Sequence, residues 1–347
     1  MTDLRAPFPW FGGKSKVAPI VWPRLGEVNN YVEPFFGSGA VLLGRPGGAQ
    51  GIETVNDKDG FLCNFWRSVQ HDPEETAHWA DYPVNESDLH ARHIWLRENS
   101  GDLSRLLEGD PDYFDAKVAG WWVWGICCWI GGGWCGPSGE GPWVVETGED
   151  GRRRLVKGNA GVGVHRKRVH LGNAGVGVHR KRVHLNAGVG VHRKRVHLGD
   201  WFAALADRLR RVRVCCGDWS RVCGPTPTFK HGLTAVFLDP PYDLVERDGG
   251  CYTEDTPGLA QDVLQWCIAN GDNPLLRIAL CGYEGEHDTL QELGWEVVAW
   301  KANGGYGNQS NARGKANAHR ERIWFSPHCV GTEIEGEMQL CMWDGHD

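Results

Sequence analysis

The sequence of 347 residues lacks an apolar run long enough to cross a membrane as a helix. Its most apolar run, from Val118 to Ile130, has 13 residues, whereas a membrane-spanning helix needs about 20. We therefore expect no membrane partner and interpret this run as part of a buried or half-buried helix. The flanking residues predict that the helix starts with Asp110 as its N-cap and Pro111 at its first position, and that it stops at the glycines 131–133.

The sequence also lacks the cysteine patterns of secreted and zinc-binding domains. Its twelve cysteines are spread along the chain with no signal peptide ahead of them, which favours reduced thiols and a cytoplasmic protein. Cys-Cys-x6-Cys occurs twice and His-x4-His three times, but neither is the paired Cys-x2-Cys spacing of a structural zinc site. We therefore predict no metal site.

Acidic residues are scarce in one segment of an otherwise acidic chain. Residues 151–214 contain 17 Lys and Arg but only two acids, while the whole chain has a formal net charge of −7. The unit NAGVGVHRKRVHL occurs three times here, at 159–171, 173–185 and 186–198. After an Asn-Ala-Gly turn, the side chains of each unit could alternate between the two faces of an extended strand. Neither face would be cleanly apolar. A small basic meander and a solvated basic loop both remain open.

The remaining pattern predicts strands that alternate with helices. Strand patterns surround Tyr31, run from Ile52 to Asp57, end at Asp218, cover 234–238 and recur after 274, with helical patterns between them. Such alternation indicates an α/β fold with a mainly parallel sheet. Ligands of such sheets bind at the carboxyl ends of the strands. Three loops fulfil that requirement, namely Glu33–Gly39, Asp57–Asp59 and Asp239–Tyr242, and we expect them to outline one crevice.

The residues of these loops indicate what the crevice could bind. A Gly-rich turn before a helix is typical of a nucleotide loop, and carboxylates at a strand end suit ribose hydroxyls. Pro240 and Pro241 have no N–H group, so they and the Asp239 carboxylate present fixed acceptors with few competing donors. Acceptors in that arrangement favour an NH2 group as the ligand.

Four motifs, in their order along the chain, resemble those of a known enzyme family. FPWFGGK, YVEPFFGSG, NDKD and FLDPPYD are similar to the motifs of the Dam-type (D12 class) DNA N6-adenine methyltransferases of phage or bacterial type, in their alpha order. The resemblance implies a Rossmann-like class I methyltransferase domain made of residues 1–60 and 200–327. Residues 61–199 would be an inserted helical and β target-recognition region with the basic repeats at 159–198, and residues 328–347 an acidic tail.

The resemblance also implies roles for individual residues. The cofactor would be S-adenosylmethionine, with Trp10 and Lys14 near its methionine end, Lys14 pairing with its carboxylate, Asp57 accepting from its ribose and Asp218 beside its adenine. The full cofactor set is Trp10, Lys14, Glu33, Phe35, Gly37, Gly39, Asp57, Asp218 and Asp239. The catalytic set is Asp239, Pro240, Pro241 and Tyr242, which would grip and stack a flipped adenine. The DNA-contacting set is Arg166, Lys167, Arg168, Arg180, Lys181, Arg182, Arg193, Lys194 and Arg195.

Two other functions remain open at this point. Methylation of cytosine N4 poses the same chemical problem, since that amine is equally delocalised into its ring. Attack on a cytosine ring carbon is disfavoured, because it would require Pro-Cys where this chain has Pro-Pro-Tyr. A non-catalytic DNA-binding protein on the same fold, which binds through its basic repeats, is the alternative from another class.

Overall fold

The computed structural model describes residues 4–10, 14–129, 134–135, 143–147, 153–157, 197–241, 258–300 and 319–331. Its helices are α1 (Ala18–Leu25), α2 (Ala40–Leu43), α3 (Gly60–His71), α4 (Pro73–Ala80), α5 (Glu86–Asn99), α6 (Leu103–Gly109), α7 (Ala116–Cys128), α8 (Leu198–Leu209) and α9 (Leu259–Asn270). Its strands are β1 (Asn30–Glu33), β2 (Ile52–Asp57), β3 (Trp143–Thr147), β4 (Arg153–Lys157), β5 (Val212–Cys216), β6 (Thr234–Leu238), β7 (Leu276–Tyr283), β8 (Glu296–Ala299) and β9 (Glu321–Phe325). Short 3-10 helices lie at Lys14–Lys16, Trp219–Val222, Phe229–His231 and Asp288–Leu293.

Seven strands form a twisted sheet in the order β5-β2-β1-β6-β7-β9-β8. The first five of these run parallel to their neighbours, whereas β9 is antiparallel to both β7 and β8. β3 and β4 pair with each other in a separate antiparallel ribbon. The predicted Rossmann-like methyltransferase fold, with a mainly parallel sheet and flanking helices, is confirmed. β9 is a strand that the sequence pattern does not predict, because its first residues are charged.

Alternate residues of the central strands pack into two different apolar layers. Tyr31 and Phe237 belong to one cluster together with residues of α1, α3, α7 and α8; we call this side of the sheet the α3 face. Val32 and Val236 belong to a second cluster with α9 and the 3-10 helix Trp219–Val222. The side-chain period of two along each strand thus gives a sheet that is buried on both sides.

α7 begins later than the sequence pattern predicts. Its N-cap is Asp115 rather than Asp110, and the Asp115 side chain accepts a hydrogen bond from the N–H three residues on, at 2.8 Å. Asp110 instead ends α6, and Pro111 lies in the turn that follows. The choice is made by a tertiary contact, because the Asn64 amide bonds both the N–H of Asp115, at 2.9 Å, and its carbonyl, at 3.0 Å.

The described helices include none that combines the length and the apolar character of a bilayer crossing. α7 fits this finding, since it is the buried centre of a helical layer. Its neighbours in this layer are α3, α4 and α5. The run that begins at Val118 therefore finds its apolar surroundings inside the protein.

A buried ion network joins the sheet to α8. Glu53 of β2 is only 2% exposed and accepts hydrogen bonds from Arg45, at 2.8 Å, and from two nitrogens of Arg208, at 2.6 and 2.9 Å. Arg208 also donates to the carbonyl of Leu42 at 3.0 Å. Because both carboxylate oxygens are satisfied by guanidinium groups, the network can be buried at an acceptable cost in desolvation.

The strand order creates a crevice next to β1. The chain passes from β1 to β2 on one side, and later enters β6 on the other side of β1 and continues outward to β7. The loops that follow β1 and β6 therefore diverge from two adjacent parallel strands. In open α/β sheets a ligand crevice lies at this switch point, outside the carboxyl ends of the strands.

Candidate active site

Four adjacent strands end in the segments that the sequence analysis predicts to form the site. In the order β5, β2, β1 and β6, Asp218 follows the first strand, Asp57 ends the second, the loop 34–39 follows the third and Asp239 follows the fourth. Because the four strands are parallel and hydrogen-bonded to one another, their carboxyl ends share one edge of the sheet. The structure thus brings these three loops, and Asp218 beside them, together along the crevice.

Asp57 ties the end of β2 to the loop after β1. Its Oδ2 accepts a hydrogen bond from the N–H of Gly37 at 2.9 Å, and its Oδ1 accepts one from the N–H of Asp59 at 3.1 Å. Burial raises the pKa of Asp57 from 3.8 to about 6, and backbone hydrogen bonds from Gly37, Asp59 and Lys58 limit the rise. A carboxylate has about four acceptor sites, so three backbone donors leave room for a further donor. Asp57 can therefore hold the loop and still accept from a ligand.

The loop itself can follow this path because of two glycines. Gly37 has φ +49°, and a Cβ there would lie 2.5 Å from Nε1 of Trp10. Gly39 has φ +65°, and a Cβ there would lie 2.7 Å from the ring of Phe36. Larger residues would be strained at both positions and would also collide with an aromatic ring. The predicted cofactor residue Trp10 thus packs directly against the predicted glycine loop.

Two residues that the sequence analysis does not single out hold this loop in place. Nε1 of the buried Trp66, on α3, donates to the carbonyl of Gly37 at 3.0 Å. The side-chain amide of Asn56 donates to the carbonyl of Pro34 at 3.1 Å and to that of Gly217 at 3.0 Å. Asn56 belongs to the NDKD motif, so its position next to Asp57 could have indicated a role at the site. Nothing in the local sequence connects Trp66 with Gly37.

An aromatic pair flanks the site on the side of β5. The rings of Phe35 and Trp219 are stacked with their centroids 6.1 Å apart and an angle of 27° between their planes. Asp218, which precedes Trp219, is exposed and caps the 3-10 helix by accepting from the N–H of Ser220 at 3.0 Å. An aromatic platform with an exposed carboxylate next to it suits a planar heterocycle that has an amino group.

Lys14 lies on the other side of the site, against the end of β6. Its side chain is buried, and Nζ is 3.1 Å from Oδ1 of Asp239 and 3.9 Å from Oε2 of Glu321. The ammonium also lies 5.3 Å from the centre of the Trp300 ring. The structure therefore joins the predicted cofactor residue Lys14 directly to the predicted catalytic residue Asp239. Glu321, at the start of the unpredicted strand β9, is a third charged group that sequence reasoning missed.

Glu33 faces other protein groups within the sheet. It is 2% exposed, and its Oε2 accepts from the hydroxyl of Tyr31 at 2.8 Å. Burial raises the pKa of Glu33 well above its usual range, an effect that the Tyr31 bond opposes and the nearby charge of Asp239 reinforces. Burial therefore favours the neutral form of the Glu33 carboxyl.

Several predicted residues lie outside the described part of the chain. They include Tyr242 and all nine Arg and Lys positions predicted to contact DNA, from Arg166 to Arg195. Pro240 and Pro241 are described and directly follow Asp239, with Pro240 buried. Within the described ranges, no group of three or more His, Cys, Asp or Glu side chains could hold a metal ion.

Comparison with known proteins identifies the N-terminal part of the chain. Residues 10–94 match the model of the D12 class N6 adenine-specific DNA methyltransferases, a range that includes the second and third motifs and all of the first from Trp10 onward. A DNA N-6-adenine-methyltransferase of Escherichia phage P1 is 31% identical to this chain over 106 residues, which make up 29% of this chain and 14% of the phage protein. The chain thus spans only a small part of the length of this curated relative. The similarity to the D12 class N6 adenine-specific DNA methyltransferases that the motifs predict is therefore confirmed for this part of the chain.

Proposed function

We propose that this protein transfers a methyl group from S-adenosylmethionine to N6 of an adenine in DNA. The observation that carries the proposal is the meeting of the four motifs at one sheet edge, where Lys14 of the first motif lies 3.1 Å from Asp239 of the last. Similarity to a phage enzyme of this name over 106 residues supports the same reaction. We place the activity in the cytoplasm, where DNA and cofactor are both available.

The residues of the crevice fit the proposed cofactor. Phe35 and Trp219 offer an aromatic surface for its adenine, with the exposed carboxylate of Asp218 beside it. Asp57 retains acceptor capacity for a ribose hydroxyl after binding the backbone amides of Gly37, Asp59 and Lys58. Trp10, Lys14 and the glycine loop would lie toward its methionine end. When bound, S-adenosylmethionine supplies an electrophilic methyl group on a positively charged sulfur.

The residues after β6 can prepare the amine of the substrate. The lone pair of the adenine N6 is delocalised into the ring, so the amine is a poor nucleophile. The Asp239 carboxylate and the Pro240 carbonyl would accept its two hydrogens and favour a pyramidal nitrogen whose lone pair points at the methyl group. Lys14 holds Asp239 in place, and the prolines contribute no competing N–H donors. Orientation and fixed electrostatics would then provide most of the rate enhancement.

The target base must leave the duplex to reach this site. While adenine is paired inside the duplex, its amine cannot reach a crevice at the sheet edge. The base would therefore be rotated out of the helix. Tyr242 would stack on the extruded base, as an aromatic side chain does for an unpaired nucleotide. The basic repeats at 159–198 would contact the phosphates, since their Arg and Lys residues make this segment strongly positive.

We further propose the domain division that the motifs imply. Residues 1–60 and 200–327 would form the catalytic domain, with residues 61–199 inserted as the recognition region and 328–347 as an acidic tail. The packing of α3 and α4 against α8 supports a recognition region that is firmly anchored on the catalytic domain.

Methyl transfer from labelled cofactor to defined duplexes tests the proposal. We expect label to appear in duplexes that contain adenine and to be recovered as N6-methyladenine. Asp239→Asn should reduce transfer by roughly 10²–10³-fold, the cost of losing one strong electrostatic partner in an active site. Asp262→Asn, an exposed acid on α9, serves as the control and should remain active.

The same assay separates the alternatives. Label recovered only as N4-methylcytosine would assign the enzyme to the other amine. Calorimetry distinguishes the non-catalytic reading: cofactor binding that is lost in Asp57→Ala supports the enzyme. DNA binding without any cofactor binding would overturn the proposal in favour of a DNA-binding module.

A further inference from the structure

Three acidic side chains lie in a row on the α3 face of the sheet, at its carboxyl edge. Glu33 follows Tyr31 by two positions on β1, and Asp239 follows Phe237 by two positions after β6. Since Tyr31 and Phe237 both pack on the α3 face, the period of two places these carboxyl groups on that face as well. On β9, Glu321 precedes Ile323 by two positions, and Ile323 also packs on the α3 face.

The antiparallel course of β9 is what brings Glu321 into this row. Glu321 pairs with Tyr283, the last residue of β7, so the amino end of β9 lies at the carboxyl edge of its parallel neighbour. Glu321 is 6% exposed. Cys281 of β7 lies among the same charges, since the pKa of its thiol is raised by burial and then by Asp239, while Lys14 opposes the rise.

Asp239 and Glu321 share the ammonium of Lys14. The two Nζ–oxygen distances, 3.1 and 3.9 Å, differ by less than 1 Å, and the side chains of Lys14, Asp239 and Glu321 are 8%, 18% and 8% exposed. At such separations, away from bulk water, both attractions are substantial and of similar size. Without Glu321, the ammonium would lose one of these two carboxylates, and Asp239 would be drawn more strongly toward Lys14 and away from the crevice.

We propose that Glu321 is a positioning residue for the methyl-transfer reaction: by sharing Lys14, it keeps the Asp239 carboxylate oriented and available to accept the hydrogens of the substrate amine. This inference rests on the proposed function for its consequence in catalysis. Its structural part, that Glu321 controls the environment of Asp239, is independent of any substrate.

Glu321→Gln tests the inference, and Glu296→Gln is its matched control. Glu296 also stands at the start of a strand of this sheet and also pairs with a buried cation, Arg24. Glu296 lies at the other end of the strands from the carboxyl edge of the parallel sheet, because it pairs with Phe325, the last residue of β9. We expect Glu321→Gln to lower kcat about tenfold or more while the KM for the cofactor stays within about twofold, as for loss of orientation. Glu321→Asp should restore part of kcat, and Glu296→Gln should leave kcat unchanged.

A second measurement does not depend on activity. In the cofactor-free protein labelled with carboxyl-¹³C aspartate, the Asp239 resonance is assigned by its loss in Asp239→Asn. It should shift in Glu321→Gln and stay in place in Glu296→Gln. An unchanged resonance, or a kcat equal to that of the wild type, would overturn the inference. Failure of the wild-type protein to methylate any DNA would instead overturn the proposed function, and the resonance would still decide whether Glu321 acts on Asp239.

Discussion

The carboxylate of Asp57 accepts a hydrogen bond from the backbone N–H of Gly37, with 2.9 Å between Oδ2 and the nitrogen. This bond joins the ends of β2 and β1, two of the strands along whose carboxyl ends the proposed cofactor would lie. The loop that carries Gly37 therefore depends on the charge of Asp57. Because the pKa of Asp57 is raised to about 6 by burial, that charge changes within an accessible pH range.

Cofactor affinity should fall as the pH drops through about 6. Below this value Asp57 is protonated, and a neutral carboxyl is a weaker acceptor for both the Gly37 amide and the ribose hydroxyls. Calorimetric titration with S-adenosylmethionine between pH 5 and 8 measures the effect. In Asp57→Asn the affinity should be low and lack this pH dependence. A wild-type affinity that is constant from pH 5 to 7 would contradict the assignment.

The same ionisation should have the opposite effect on folding. The pKa of Asp57 is 3.8 in its ordinary state and about 6 in the folded protein, so the native state holds this proton more tightly than the unfolded chain does. The free energy of unfolding contributed by Asp57 should therefore decrease as the pH rises from about 4 to about 6, by at most about 3 kcal/mol. Urea denaturation of wild type and Asp57→Asn across this range isolates the contribution.

Loss of Glu53 should destabilise the fold far more than loss of an equally short ion pair at the surface. Glu53→Ala leaves Arg45 and Arg208 buried without their carboxylate, which should cost about 3–5 kcal/mol in the free energy of unfolding. The matched control is Glu108→Ala. Glu108 pairs with Arg221 at 2.6 Å, the same distance as the shorter Glu53–Arg208 contact, but both side chains of this pair are exposed.

The exposed Glu108–Arg221 pair should contribute less than about 1 kcal/mol to the free energy of unfolding, because solvent screens the two charges. Urea denaturation midpoints of the two variants give the comparison directly. Equal losses in the two variants would show that burial of the Glu53 network does not matter for stability.

Deletion of one basic repeat should weaken DNA binding and reduce its salt dependence. Removal of 173–185 takes away Arg180, Lys181 and Arg182. If all three contact phosphates, the slope of log affinity against log salt concentration should become less negative by up to about 3. Replacement of the three by Gln keeps the length and should give the same result. Cofactor affinity should stay unchanged, and an unchanged salt slope would favour the solvated-loop interpretation.

The sequence is sufficient to predict those parts of the fold that local pattern determines. β1, β6 and β7 are mainly apolar runs, β2 ends in the acidic Asp57, and the strand-end rule places the loops of these strands at one edge. α7 shows the limit of this reasoning. Asp110 and Asp115 are both good N-caps, and the choice between them is made by Asn64, which is remote in sequence.

The charges around Asp239 could not be predicted in the same way. The motifs indicate that Lys14 and Asp239 belong to one site, but the ion pair between them joins residues more than 200 positions apart. Glu321 was missed because β9 opens with alternating charges, and it becomes a strand only through pairing with β7 and β8 on its two sides. Its role follows from sheet topology, which a local pattern does not contain.

The position of β9 also affects the order in which the protein can assemble. Among the described strands, β8 pairs with β9 alone, so when residues 296–299 leave the ribosome they have no strand to join. Domains fold as they emerge, from the N-terminal side onward, and here β5, β2, β1, β6 and β7 could associate first. β8 and Glu321 can take their places only after residues 321–325 have been synthesised. Until then the nascent chain carries an incomplete charge cluster.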